Sequence, residues 1–226
     1  MRALAATPPS ATSRQVESSS LSFDITLRDG AMLPREVALG ALRACSHRHL
    51  DLLRPTGCIG DPSKLSTREA ATLEAMSPEA LAGARALDAL HEHADLVKSG
   101  PFAWEVFEWW ASNRRPRAHA WCIWLIGYLG GEQQAVQLAD AVRHTRGLSR
   151  DETKRMLNVL ELIGTPYAWH GLLLVARRGP RADVRRIATS HVQGLLRTTG
   201  WTQEELEDRV VPTCGLDARG AREFSY

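Results

Sequence analysis

Apolar residues recur along most of the chain at the spacing of an α-helix. The clearest stretch is 118–129, where positions i, i+3, i+4, i+7, i+8 and i+11 are apolar. These positions are Ala118, Trp121, Cys122, Leu125, Ile126 and Leu129. Trp124 and Tyr128 lie on another face of the same predicted helix, so we expect it to be covered on more than one side, as in the middle of a stack. Residues 184–195 repeat the pattern.

Short polar signatures mark where helices begin. Residues 66–69, 149–152 and 202–205 each have the form of a capping box, in which the first and fourth side chains bond each other's free backbone N–H groups. Proline follows Ser77 and Thr165, at a first helical position where its missing N–H costs nothing. We therefore predict helix starts at all five places.

Glycines follow the apolar stretches at intervals of roughly 35 residues, within the range of helical-hairpin repeats. They are Gly130, Gly164 and Gly200, and we expect each to end a helix in the left-handed conformation. The helices predicted between them are approximately 131–146, 150–163, 165–178 and 180–199. Because one hairpin cannot bury both of its faces, neighbouring hairpins are expected to stack. The predicted fold is all-α, an α-solenoid of stacked helical hairpins after a short irregular N-terminal segment.

The N-terminal part of the chain has a weaker pattern. Residues 1–20 are rich in Ser, Thr, Ala and Pro without periodicity, and we predict a disordered leader there. Phe23, Ile25 and Leu27 alternate as in one short strand, which the Asp-Gly turn at 29–30 ends. A lone strand cannot build a sheet.

A loosely apolar helix is predicted after Pro34, and residues 54–64, with two Pro and two Gly, form the clearest internal linker. The predicted organisation is therefore a leader (1–20), a strand, helix and linker segment (21–65), and a helical-repeat domain (66–226).

Composition narrows the class of protein. Hydrophobic residues make up 44% and charged residues 24%, which is the ordinary globular mixture rather than that of a disordered chain. The net charge of +2 gives no general attraction to nucleic acid or acidic membranes. The four cysteines are scattered, and no apolar run is long enough to span a bilayer. We expect a cytoplasmic protein without a cofactor.

The C-terminal sequence resembles a known family. Residues 201–220 are similar to the junction sequence of bacterial MolR-like (molybdate-metabolism-regulator-like, WGR-associated) proteins, and residues 160–179 resemble the repeat helices of that family. The resemblance covers about 117–226 and implies HEAT-like repeats, with the chain truncated before the downstream domain of unknown function. The matching positions are Gly200, Thr202, Glu204, Glu205, Leu206, Asp208, Arg209, Pro212, Gly215, Leu216 and Asp217. No WGR signature is present, and the family supplies no catalytic residue.

This junction is predicted to act as a C-terminal cap, because terminal repeats need one to cover an exposed apolar face. Pro212 is expected to end the last helix, and Leu216, between Gly215 and Asp217, to fold back onto the last hairpin. Asp208 or Arg209 is expected to tie the loop to a neighbouring helix.

Histidines and cysteines give no strong site. The pairs at 47 and 49 and at 91 and 93 are two positions apart, and such side chains point to nearly opposite sides of a helix, so each is a poor metal chelate. His191 lies on an apolar stripe and is interpreted as a core histidine rather than a catalytic one. Cys214 has no base nearby in sequence, and we interpret it as a structural thiol.

Arginines cluster around one predicted helix start and are candidates for nucleic-acid contact. They are Arg177, Arg178, Arg181, Arg185 and Arg186, with Arg197 further along. Such a cluster can bind phosphates. The alternative is a solvated face or intramolecular pairing, because no aromatic motif is interleaved with these arginines.

Phe102 and Trp109 lie seven positions apart on one face of an aromatic segment and are candidate contacts for a protein partner. The alternative is packing within the chain.

These patterns favour a non-catalytic helical-repeat scaffold that mediates protein–protein interaction, related to the MolR-like proteins. The alternative is nucleic-acid binding through the arginine cluster, and a third hypothesis is an enzyme with a site dispersed over the helices. No membrane partner is predicted.

Overall fold

The computed structural model describes residues 25–33 and 74–210, together with the isolated positions 40, 67 and 71. Its described part contains eight bounded α-helices, a 3₁₀ turn at Arg117–His119, and the two-residue strands β1 (Ile25–Thr26) and β2 (Met32–Leu33). The helices are α1 (Pro78–His93), α2 (Leu96–Ser112), α3 (Trp121–Leu129), α4 (Glu132–His144), α5 (Arg150–Ile163), α6 (Pro166–Arg178), α7 (Ala182–Thr199) and α8 (Gln203–Arg209). The all-α prediction is confirmed.

The helices pack in two layers. From α2 to α7, α2, α4 and α6 follow one another in the first layer, and α3, α5 and α7 follow one another in the second. The pairs α2–α3, α4–α5 and α6–α7 pack against each other across the two layers. Each helix therefore contacts both a sequence neighbour and the helix two places along the chain, so the hairpins stack.

The polar signatures define the helix starts well. Ser149 and Thr202 each form a capping box, with Glu152 and Glu205 respectively. The hydroxyl of Thr165 accepts a hydrogen bond from the Ala168 N–H at 3.3 Å. Pro166 begins α6, and Pro78 begins α1, as predicted.

Two of the three predicted helix-ending glycines are left-handed. Gly164 has a φ of 62° and Gly200 a φ of 73°. The prediction is wrong for Gly130, which is extended with a φ of −84°. Glycine is needed there for a different reason, because a Cβ would lie 2.4 Å from the carbonyl oxygen of Ile126.

The core runs through α3, in which all nine residues are buried. Trp124 and Tyr128 are buried along with the predicted face, so the expectation that this helix is covered on more than one side is confirmed. The helix starts at Trp121 rather than at 118, because the 3₁₀ turn at Arg117–His119 precedes it. Two left-handed residues, Arg114 and Arg115, make the turn that leads out of α2.

The N-terminal strand is part of a hairpin, contrary to the prediction of a lone strand. β1 pairs with β2 antiparallel across the Asp-Gly turn. The hairpin is fixed to the α1–α2 junction, where the Thr26 N–H donates to Ser99 Oγ at 3.1 Å and the Asp95 N–H donates to the Thr26 carbonyl at 2.8 Å. Ile25 is fully buried. Docking onto helices supplies the apolar cover that an isolated strand lacks.

Several predictions fall outside the described residues. They are the leader at 1–20, the helix after Pro34, the linker at 54–64, most of the capping box at 66–69, Pro212, Gly215, Leu216 and Asp217.

Candidate binding groove

A groove of about 370 Å³ lies between α5 and α7. From α5 it is lined by Arg150, Lys154, Asn158 and Glu161, and from α7 by Ile187, Ser190, His191, Gly194 and Arg197. The α5 positions are spaced i, i+4, i+8 and i+11, which places them on one face of that helix. The α7 positions have the same helical spacing. Two helices of the same layer therefore present their polar edges to one another.

The centre of the groove holds a histidine–glutamate pair. His191 Nδ1 lies 2.6 Å from Glu161 Oε2, and their side chains are 12% and 28% exposed. A protonated imidazole makes this a charge-assisted hydrogen bond. His191 is therefore a groove-lining side chain with a carboxylate partner, and its interpretation as a core histidine is wrong. The apolar stripe of α7 is buried at Val184, Ala188 and Val192, and His191 lies at the edge of that stripe.

Asn158 is the most enclosed polar residue of the groove. It is 5% exposed and lines the groove from α5. Among the described residues, no hydrogen bond engages its carboxamide. The polar atoms of this carboxamide are open to the groove, so an occupant that covers them must supply both a donor and an acceptor to avoid a cost of about 1–3 kcal/mol for an unsatisfied group.

Cations lie along the groove. Arg150 and Lys154 are on α5, Arg197 is on α7, and all three are exposed. Arg186 is one helical turn before Ser190 on the same face of α7 and is also exposed. Within the described part of the chain, none of these four side chains has an ion-pair partner. These four positive charges around the groove are therefore not neutralised by ion pairs with described residues.

Three arginines of the predicted nucleic-acid cluster are used within the fold. Arg177 of α6 pairs with Glu207 of α8. Arg181 pairs with Asp183 at 3.1 Å and donates to the Leu148 carbonyl at 2.8 Å. Arg185 donates to the Gly179 carbonyl at 2.9 Å. For these three side chains the alternative of intramolecular pairing holds.

The electrostatics of these pairs follow from their geometry. The Arg177 guanidinium, with help from Gln203, holds the pKa of Glu207 below its ordinary value. Arg181 likewise lowers the pKa of Asp183. Arg178 and Arg186 remain exposed, but only Arg186 shares a face with the groove residues. The five arginines that are adjacent in sequence therefore do not form one free basic surface.

The predicted aromatic contact is wrong for Phe102. This side chain is fully buried in the core, so it is not available to a partner, and the alternative of packing within the chain is correct. Trp109 is half-buried and packs edge-on against His119, with 5.7 Å between the ring centroids. Phe102 is enclosed because α2 packs on α3, α4 and β1 at once.

α8 is the last of the described helices, and aromatic and cation–π contacts accompany it. Arg209 lies over the ring of Trp201 at 4.4 Å, and Trp201 meets the ring of Trp169 edge-on at 5.5 Å. Leu206 is fully buried beneath them. The loop that Asp208 or Arg209 is predicted to tie to a neighbouring helix lies outside the described residues, so that tie stays a prediction. Asp208 is exposed.

Of the histidines and cysteines considered as metal ligands or nucleophiles, His91 and Cys122 take part in the packing of the fold. His91 Nδ1 lies 3.0 Å from the Tyr128 carbonyl. No group of three or more His, Cys, Asp or Glu side chains in the described ranges is placed to hold a metal ion. Cys122 is buried in the core, and burial raises the pKa of its thiol far above the usual range. Cys45, Cys58 and Cys214 lie outside the described residues.

Comparison with known proteins gives a match that covers part of this chain and a smaller part of the relative. Over 132 residues, 55% of this chain, the sequence is 29% identical to an uncharacterized protein of Escherichia coli K12, YehI, and the match covers 10% of that protein. The chain thus corresponds to about a tenth of the length of this relative. No family model and no solved structure matches the chain. The resemblance to MolR-like proteins therefore stays a prediction.

None of the described helices combines the length and the apolar character needed to cross a bilayer.

Proposed function

We propose that the chain is a non-catalytic helical scaffold that binds a protein partner through the groove between α5 and α7. The observation that carries this proposal is the combination of Asn158, enclosed yet without a hydrogen-bonding partner in the described structure, with the unneutralised cations beside it. Both the carboxamide and the cations are open to solvent in the free chain, and a partner in the groove can bond the first and pair with the second.

The helices around the groove give it a rigid support. α5 packs on α3, α4, α6 and α7, so its groove-facing side chains are carried by a helix that is held on several sides. Sites on packed helices hold their geometry better than sites on loops. This arrangement suits recognition of a partner by a preformed surface.

The scaffold is proposed to work as a segment of a larger protein of the MolR-like, HEAT-like kind. Support for this comes from the alignment with about a tenth of YehI, which is the result expected when a segment is shared with a much longer chain. The two-layer packing of consecutive hairpins is the arrangement that helical-repeat proteins use.

Catalysis in the groove is less favoured. Ser190, the hydroxyl next to His191 in sequence, donates to the Arg186 carbonyl at 3.1 Å rather than to the imidazole. The histidine and the hydroxyl are thus not bonded as a base and nucleophile would be.

Nucleic-acid binding is kept as the second candidate function, because Arg150, Lys154, Arg186 and Arg197 are exposed around one groove. Binding of a labelled DNA duplex that weakens steeply with rising salt would favour it.

Site-directed photocrosslinking tests the scaffold proposal. The photoreactive residue p-benzoylphenylalanine is placed at position 190 in the groove and, as the matched control, at position 97, where Val97 is exposed on α2 outside the groove. In cells that produce the protein naturally, position 190 should give a discrete protein adduct, identified by mass spectrometry, and position 97 should not. Equal labelling at both positions, or no protein adduct at position 190, would reject the proposal.

A further inference from the structure

We infer that the occupant of the groove is an extended, acidic peptide segment of the partner, with its backbone bonded to Asn158 and its carboxylates bound at the two ends. The inference rests on the proposed function and specifies the chemistry of the ligand. It is carried by three features of the described groove: the type of hydrogen bonding at its floor, the positions of its charges, and its length.

The floor of the groove selects for a peptide backbone. The Asn158 carboxamide offers both a carbonyl acceptor and an N–H donor, and a peptide group offers the complementary pair. A DNA phosphodiester backbone offers acceptors only, so it would leave the Asn158 carbonyl oxygen unpaired in a site where the residue is 5% exposed. Once an occupant covers this amide, a peptide group therefore pairs it more completely than a phosphodiester backbone does.

The ends of the groove select for acidic side chains. Arg150 and Lys154 lie toward the start of α5, whereas Arg197 lies toward the end of α7. The two helices run in the same sense, since Arg181 at the start of α7 donates to the Leu148 carbonyl just before α5. The cations are therefore at opposite ends, where two separated acidic positions can meet them.

The centre of the groove disfavours a further negative charge. Glu161 lies there with His191, and its carboxylate would repel an acidic side chain placed directly beside it. Ile187 adds apolar contact area in the same region. The preferred ligand therefore has acidic residues near both ends and uncharged residues between them.

The length of the groove sets the length of the segment. Arg150 begins α5 at one end, and Arg197 at the other end lies 15 positions after Ala182, which begins α7, so the groove is about 22 Å long at 1.5 Å per residue. An extended peptide rises by about 3.3 Å per residue, so roughly six or seven residues span this distance. The groove lining includes no Trp, Tyr or Phe side chain on which successive bases could stack, which further separates it from single-strand nucleic-acid sites.

Fluorescence anisotropy with the 226-residue chain tests this inference. The probe is a labelled six-residue peptide with two acidic residues at each end and two alanines between them. Its matched control has Gln and Asn in place of the acids, and a labelled hexathymidylate represents nucleic acid. The acidic peptide should bind at low salt at least about tenfold more tightly than either control.

Two substitutions locate the binding. Arg197→Gln should weaken the acidic peptide by about five- to tenfold, whereas Arg178→Gln, an exposed arginine outside the groove, should leave it unchanged. Asn158→Ala should weaken the peptide more than it weakens hexathymidylate. A thermal melt of each variant checks that it folds, and Asn158→Leu, which keeps the side-chain size and removes the carboxamide, replaces Asn158→Ala if the latter unfolds.

The outcomes separate the possible failures. Equal binding of the acidic peptide and its amide control, or tighter binding of hexathymidylate, would overturn the acidic-peptide inference. A protein adduct at position 190 would still support the scaffold in that case. If the crosslinking experiment yields no protein adduct, the proposed function itself fails.

Discussion

Gly171 sets the distance between α4 and α6. A Cβ at this position would lie 2.7 Å from the Cβ of Ala139, closer than two such atoms can approach. Because the Ala139 Cβ is attached directly to the backbone, it cannot swing aside as the tip of a long side chain can. The glycine is therefore a packing requirement rather than a turn signal.

Gly171→Ala should destabilise the protein by about 1–3 kcal/mol, because the helices must separate to admit the methyl group. Gly194→Ala is the matched control within α7, where the nearest atom to the added Cβ is Arg197 Nη2 at 4.0 Å. The better helix propensity of alanine should leave that variant unchanged or up to about 1 kcal/mol more stable. Urea unfolding measures both, and a loss of stability in the two variants alike would contradict this account.

For single residues, the sequence predicts which side chains share a face of one helix, but it does not predict which side chains of another helix they contact. The helical spacing of Arg150, Lys154, Asn158 and Glu161 is visible in the sequence, but its meaning depends on α7 lying beside it. Arg177 was assigned to a basic patch, although its partner is a glutamate 30 residues away on α8. The packing of the helices decides which side chains of different helices meet, and the spacing of residues along the sequence does not show which helices pack together.

At the scale of elements, α8 is held by charge as well as by burial. Glu205 closes the capping box with Thr202, and the backbone N–H of Thr202 lowers the pKa of this carboxyl. Glu207 pairs with Arg177, which lowers its pKa too. A carboxyl whose pKa is depressed in the folded state stabilises the fold above its unfolded pKa, and this contribution is lost as the pH falls through the folded-state pKa.

Glu207→Gln should therefore be less stable than the unaltered chain at neutral pH, because it removes the ion pair with Arg177. The difference should shrink as the pH falls below the ordinary carboxyl pKa of about 4.5. Urea unfolding of both proteins between pH 7 and pH 3 measures the difference. Gln203→Ala is a control that removes the neutral partner of Glu207 and keeps the charge pair. A difference that does not change with pH would show that the ion pair contributes nothing.

Helix boundaries were the most predictable part of the fold. Ser149, Thr165 and Thr202 allow the starts of their helices to be predicted, because a cap is a local interaction between residues three positions apart. Strand β2 was not predicted, since two residues carry no periodicity and its pairing with β1 is stabilised by helices distant in sequence. Gly130 was misassigned because glycine serves both left-handed turns and close backbone contacts.

At the scale of the whole molecule, stability should be graded along the stack. α3 is buried at every residue, whereas α8 has one buried residue and lies at the end of the described helices. In stacked helices the ends open more easily than the middle, because each unit is held by its neighbours.

Native-state hydrogen exchange followed by mass spectrometry should thus show the slowest exchange in α3 and the fastest among the helices in α8. Peptides from α5 and α7 should be intermediate, and the groove should remain formed while α8 opens. Exchange of α3 at the rate of α8 would contradict a graded stack.

The docking of the β-hairpin joins residues that are far apart in sequence. Most helix contacts join neighbours along the chain, but Thr26 reaches Ser99 across 73 residues. Closing such a loop carries an entropic cost that local helix pairing avoids. The surface that receives the hairpin exists only once α1 and α2 have met at Ala94 and Asp95. We therefore expect the hairpin to dock late in folding, so that residues 25–33 are among the last described residues to reach their native positions.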